Sequence, residues 1–71
     1  RSEEHIIEDF QWRLKRLMTL RCIGQAKLAE MSGISQASIS NYLSGKSMPD
    51  ILKLNSLARA LNVDVSELLR D

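Results

Sequence analysis

Residues 25–44, QAKLAEMSGISQASISNYLS, decide the fold of this chain. Leu28 and Ala29 put apolar and small side chains on the inner face of a first short helix, and Gly33 follows where that helix has to stop and reverse. Glycine enters the left-handed conformation that such a turn needs without a steric penalty. Ile34 then supplies an apolar plug, and Ser35 an N-cap whose hydroxyl accepts from a free backbone N–H of the next helix. That second helix is expected from Gln36 to about Leu43. Its apolar residues Ile39, Tyr42 and Leu43 recur at the spacing of one helix face, which leaves Gln36, Ala37, Ser40, Asn41 and Ser44 on the others. Exposed helix faces mostly carry Glu and Lys, whereas this one is small and uncharged. Gln and Asn can hydrogen-bond an adenine edge at two points, and small neighbours let a helix approach bases closely.

Composition bounds what surrounds this stretch. With 71 residues, 44% of them hydrophobic, the chain makes one small helical domain. Its single cysteine, Cys22, cannot close an intramolecular disulfide, and a single histidine gives no cluster for zinc. No run is long enough to span a membrane and no basic-then-apolar leader is present, so a cytoplasmic setting is expected. The chain opens on Arg1 rather than Met, as a piece of a longer protein would. The net charge is only +1, ten Lys and Arg against nine Asp and Glu. Its distribution is uneven: four acids (Glu3, Glu4, Glu8, Asp9) fall in the first nine positions, while Arg13, Lys15, Arg16, Arg21, Lys27 and Lys46 make the middle basic.

In chain order, Ser2 to about Arg21 reads as one helix or two abutting ones, with Ile6, Ile7, Phe10, Leu14, Leu17 and Met18 as its apolar stripe and Ser2 as N-cap. Glu3 and Glu4 suit the positive end of that helix. Trp12 lies off the stripe and either caps the core edge or marks a contact surface. Thr19 to Gly24 makes the connection, Gly24 being the N-cap of the next helix and Gln25 lying in its first turn, where free N–H groups can hold a phosphate. After Gly45 comes a short loop in which Pro49 keeps Met48 extended and Asp50 caps a helix reaching Leu61. Ile51, Leu54, Leu57, Ala58 and Leu61 form its apolar face. Asn62 supplies a left-handed stop, and Asp64 with Glu67 starts a last helix in the manner of a capping box. That helix carries Val65, Leu68 and Leu69, which either close the core or meet a second copy. The fold class is therefore all-α, with five helices.

The ordered segments LKRL (14–17), GQAKLAEMSGIS (24–35), SISNYLSGKSMPD (38–50) and LARALNVDVSELL (57–69) closely resemble the phage-repressor and Cro type of helix-turn-helix domain, the lambda-repressor-like or XRE family. The resemblance spans Leu14 to Leu69, over three quarters of the chain. It implies a compact five-helix domain in which residues 13–70 form the family-like core and residues 1–12 a helical extension. In that family the second helix of the motif enters the DNA major groove, which implies base-reading roles for Ser35, Gln36, Ala37, Ser40 and Asn41. Phosphate contacts fall by the same reasoning to Gln25, Lys27, Ser38, Ser44 and Lys46. Relatives commonly use the first-turn Gln of one helix to buttress the first-turn Gln of the next, and Gln25 and Gln36 match both positions. Where many relatives carry a partly buried Arg–Glu pair, this chain has Met18 and Leu43, an exchange of charge for apolar packing.

The resemblance implies sequence-specific binding of double-stranded DNA by a transcriptional regulator of bacterial or phage type, a repressor acting as a homodimer on a palindromic operator. Val65, Leu68 and Leu69 are the candidate dimer contacts. No cofactor, metal or small-molecule substrate is called for. The alternative is a helix-turn-helix module that binds another protein, of antitoxin or adaptor type, which the low net charge favours and the uncharged helix face opposes. An enzyme is not expected: Ser32, Ser35, Ser38, Ser40, Ser44 and Ser47 have no neighbouring histidine to activate them, and no glycine-rich phosphate loop or paired carboxylates occur.

Overall fold

The computed structural model describes residues 3–69. Five helices follow one another: α1 (Glu3–Arg21), α2 (Gln25–Ser32), α3 (Gln36–Leu43), α4 (Ile51–Leu61) and α5 (Ser66–Leu69). The described residues contain no strand. Ser2, expected as an N-cap, lies outside them.

The boundaries follow local chemistry. Gly33 ends α2 with φ 75°, its N–H returning to the Ala29 carbonyl at 2.9 Å. Ser35 starts α3 by accepting from Ser38 N–H at 3.1 Å. Asp50 does the same for α4, its Oδ1 accepting from Lys53 N–H at 2.9 Å, and Asn62 ends that helix with φ 58°. α1 ends at Arg21 as its apolar stripe implied, but the connection expected from Thr19 is shorter: the Thr19 hydroxyl donates to the Lys15 carbonyl inside the helix, and the connection begins only at Cys22. There the backbone turns left-handed (φ 56°) and Ile23 N–H closes back onto the Met18 carbonyl. At the other end, Asp64 Oδ1 accepts from Ser66 N–H at 3.0 Å rather than from Glu67, whose N–H goes to the Asp64 carbonyl. The start of α5 is thus a tight turn around Asp64 and not a capping box.

Every helix contributes to one core: Phe10, Leu14 and Met18 from α1, Leu28 from α2, Ile39 and Tyr42 from α3, Leu54, Leu57, Ala58 and Leu61 from α4, and Leu68 from α5. Ile34 plugs the turn between α2 and α3 as expected. Phe10 is fully buried and meets Tyr42 edge-on, ring centroids 6.2 Å apart at 76°. The expected division at residue 12 is therefore no structural boundary, because α1 runs through it and Phe10 belongs to the core. Ile6 and Ile51, both expected inside, are exposed. Each stands near the start of its helix, on the correct stripe but past the helices that cover the rest of it. Trp12 is 58% exposed, which makes it a surface residue rather than a cap on the core.

Two long polar side chains of α1 reach the ends of other helices. Gln11 Nε2 donates to the Leu43 carbonyl at 2.7 Å, and Arg21 Nε donates to the Leu61 carbonyl at 3.0 Å. These carbonyls end α3 and α4, where no intrahelical donor remains.

Hydrogen bonds from the Ser66 N–H and hydroxyl hold the Asp64 carboxyl below its ordinary range. A depressed carboxyl contributes stability that is present above its unfolded pKa and lost as pH falls through the folded one. Thermal midpoints measured between pH 5 and pH 2 should accordingly fall less steeply for Asp64→Asn than for the parent below about pH 4. Equal slopes would remove this role from Asp64.

Candidate nucleic-acid interface

α3 is gripped from behind and open in front. Ile39 and Tyr42 anchor it in the core, Leu43 is half-buried, and Gln36, Ala37, Ser40, Asn41 and Ser44 are all exposed. Ser35 stands exposed at its N-terminus. The structure therefore brings the five expected base-reading residues onto one accessible, uncharged surface. No acidic side chain stands in the first turn of α3, so nothing repels a polyanion there.

The expected phosphate-contacting residues differ in how ready they are. Lys46 is exposed and has no ion-pair partner among the described residues. Lys27 Nζ rests 3.3 Å from Glu30, but both side chains are well exposed, and such surface pairs contribute little. Ser38 is half-buried and its oxygen accepts from the Ser35 hydroxyl at 2.9 Å, leaving its own proton to donate outward. Ser44 is exposed, but its hydroxyl donates to the Asn41 carbonyl at 3.2 Å, and donating to a phosphate requires that bond to break. Gln25 is exposed at the start of α2, which opens from Gly24 without a side-chain cap. Uncapped first-turn N–H groups are available to an anion.

Gln25 and Gln36, expected to brace one another, are both exposed, and neither side chain makes a hydrogen bond among the described residues. Met18 is buried and Leu43 packs against the core, and both line a cavity of about 590 Å³ bounded by the end of α1, Gln25 and Leu43. The polar link between α1 and α3 comes instead from Gln11. Sequence reading missed this residue, although Gly45 held a signal: at φ 78° it lies so close to Gln11 that an added Cβ would come within 2.9 Å of Oε1.

Of the expected dimer contacts, Leu68 is fully buried in its own domain and has no surface to offer a partner. Val65 is half-buried and Leu69 is 42% exposed. Among the described residues no helix is long and apolar enough to cross a membrane, and no group of His, Cys, Asp or Glu could hold a metal ion.

Comparison with solved structures finds a similar chain in the restriction-modification controller protein C.AhdI from Aeromonas hydrophila. The two are 27% identical, superpose with a TM-score of 0.85, and overlap over 89% of this chain and 96% of that one. No curated protein matches the sequence. The helix-turn-helix family model matches residues 11–68, from the side chain that holds the end of α3 to the leucine of α5 that closes the core. The match takes in all five helices in the order read from the residues, and the chain belongs to the helix-turn-helix family.

Proposed function

We propose that this domain is the DNA-reading part of a transcriptional regulator, a repressor that binds a palindromic operator as a symmetric homodimer. The observation that carries this reading is the front of α3: Gln36, Ala37, Ser40 and Asn41 exposed together, uncharged and small, on a helix fixed from behind by Ile39 and Tyr42. Such a surface fits the major groove, where Gln36 hydrogen-bonds an adenine edge, Asn41 reads beside it, and Ala37 and Ser40 permit close approach. Ser35, whose hydroxyl is occupied by the cap, offers its methylene to a thymine methyl. Gln25, Lys27, Ser38, Ser44 and Lys46 fix the register on phosphates. The similarity to a restriction-modification controller protein supports a regulatory role. Val65 and Leu69 remain as the C-terminal surface through which two copies would meet on DNA, with recognition helices roughly 34 Å apart.

The net charge of +1 favours a second reading, a module that binds another protein. Titration with duplexes selected from a random pool, at two salt concentrations, separates the two. DNA binding requires an affinity that falls as salt rises; no binding at low salt would leave the protein-binding reading. Within the DNA reading, Lys46→Ala should weaken every sequence alike and make the salt dependence shallower by about one unit. A loss confined to one sequence would mean that Lys46 contacts a base.

A further inference from the structure

α1 has a second face that neither the core nor the α3 surface uses. The helix runs 19 residues, about 28 Å, and Trp12 stands at its midpoint. Trp12 is 58% exposed and Leu20 64%, with the Arg16 guanidinium 5.5 Å from the centre of the indole ring. Together Trp12, Arg16 and Leu20, each one turn from the next, form a ridge. A shallow groove of about 350 Å³ runs along one side, lined by Lys15 and Thr19, and one of about 140 Å³ along the other, lined by Arg13, Leu17 and Glu67 of α5. A ridge between two grooves is the relief that packs against another helix.

The charges on α1 specify which helix. Residues 3–9 hold four acids and no Lys or Arg, whereas residues 13–21 hold Arg13, Lys15, Arg16 and Arg21 and no acid. This order suits the dipole of α1 itself, but the dipole does not account for a tryptophan and a leucine left in water on the same face. Lys15, Arg16 and Glu8 form no ion pair among the described residues. We infer that α1 is a self-association surface, pairing antiparallel with α1 of a second copy about a two-fold axis at Trp12. In that arrangement Glu8 faces the partner's Arg16, and the two indoles meet on the axis. A parallel pairing would set acid on acid and base on base. A two-fold contact needs one self-complementary patch, and a helix acidic in one half and basic in the other, with its aromatic at the centre, is such a patch. No residue of the ridge lies in α2 or α3, so this pairing and DNA binding succeed or fail independently. It is also separate from Val65 and Leu69. Repeated on operator-bound dimers, it would link one to the next.

One helix pair lies at the small end of specific interfaces, about 1,200 Å² or less, so the test spans concentrations on the order of 10 μM to 1 mM. The 71-residue chain without DNA should sediment as a monomer–dimer equilibrium, and its emission, which comes from one tryptophan, should move to the blue as concentration rises. Trp12→Ala should weaken association by about thirtyfold. An R16E chain and an E8K chain should each stay monomeric and form a heterodimer when mixed, with circular dichroism confirming that all variants keep their helices. A parent chain monomeric throughout would overturn the proposal, as would association indifferent to Trp12→Ala or a mixture that forms no heterodimer.

Discussion

Replacing Phe10 by alanine is expected to remove about 3–5 kcal/mol of stability, the range for deleting a fully buried aromatic side chain. A chain of 71 residues has a total stability on the order of 5–10 kcal/mol, so about half of it is at stake in one residue. The midpoint of thermal unfolding should drop by about 15–30 °C. Phe10 lies just outside the span matched by the family model, yet it is fully buried and meets Tyr42, one of the two residues that anchor α3. Phe10→Leu should recover most of the loss, since it restores much of the buried apolar volume and forgoes chiefly the edge-on ring contact, about 0.5–1.5 kcal/mol. A loss below about 1 kcal/mol for the alanine variant would place Phe10 outside the cooperative core.

Gln36→Ala is expected to cost about 1–3 kcal/mol on the preferred operator and to relax preference at one base pair. The two effects must appear together. A glutamine bidentate to adenine loses both the bonds and the discrimination, whereas a glutamine that only touched the backbone would lose affinity on every sequence alike. The measurement is a set of affinities for the selected operator and for duplexes changed at single positions, taken at one salt concentration. Because the Gln36 side chain makes no hydrogen bond among the described residues, the substitution breaks none there. Unchanged base preference would contradict the assigned role. Gln25→Ala should produce a smaller version of the same result if the brace between the two glutamines forms on DNA.

The residues that announced themselves in the sequence are those that act locally. Gly33, Ser35, Asp50 and Asn62 each serve backbone groups within about one turn, and their identities reveal the task. The apolar stripes located most of the core for the same reason. Gln11 and Arg21 could not be found this way. Their partners lie 32 and 40 residues along the chain, and a single polar side chain acting at such range leaves no periodic trace. Ile6 and Ile51 illustrate the converse, since periodicity gives the face of a helix but not where its neighbours end. At the surface proposed to face DNA, the exposed set was legible as whatever lay off the stripe of Ile39 and Tyr42. What the spacing could not express was prior commitment: the Ser44 hydroxyl is already bonded to Asn41, while Lys46 is unencumbered.

The contact between Gln11 and the end of α3 bears on any attempt to transplant that helix. Gln11 Nε2 holds the Leu43 carbonyl at 2.7 Å, and the same amide fills the space above Gly45 so closely that a methyl there would meet its oxygen. Positions 11 and 45 are thus one specification written in two places. A graft of residues 36–44 onto another scaffold would arrive with its last carbonyl unanswered, and a side chain at 45 would demand a shorter one at 11. The portable unit is not α3 alone but that helix together with the glycine behind it and the glutamine that faces it.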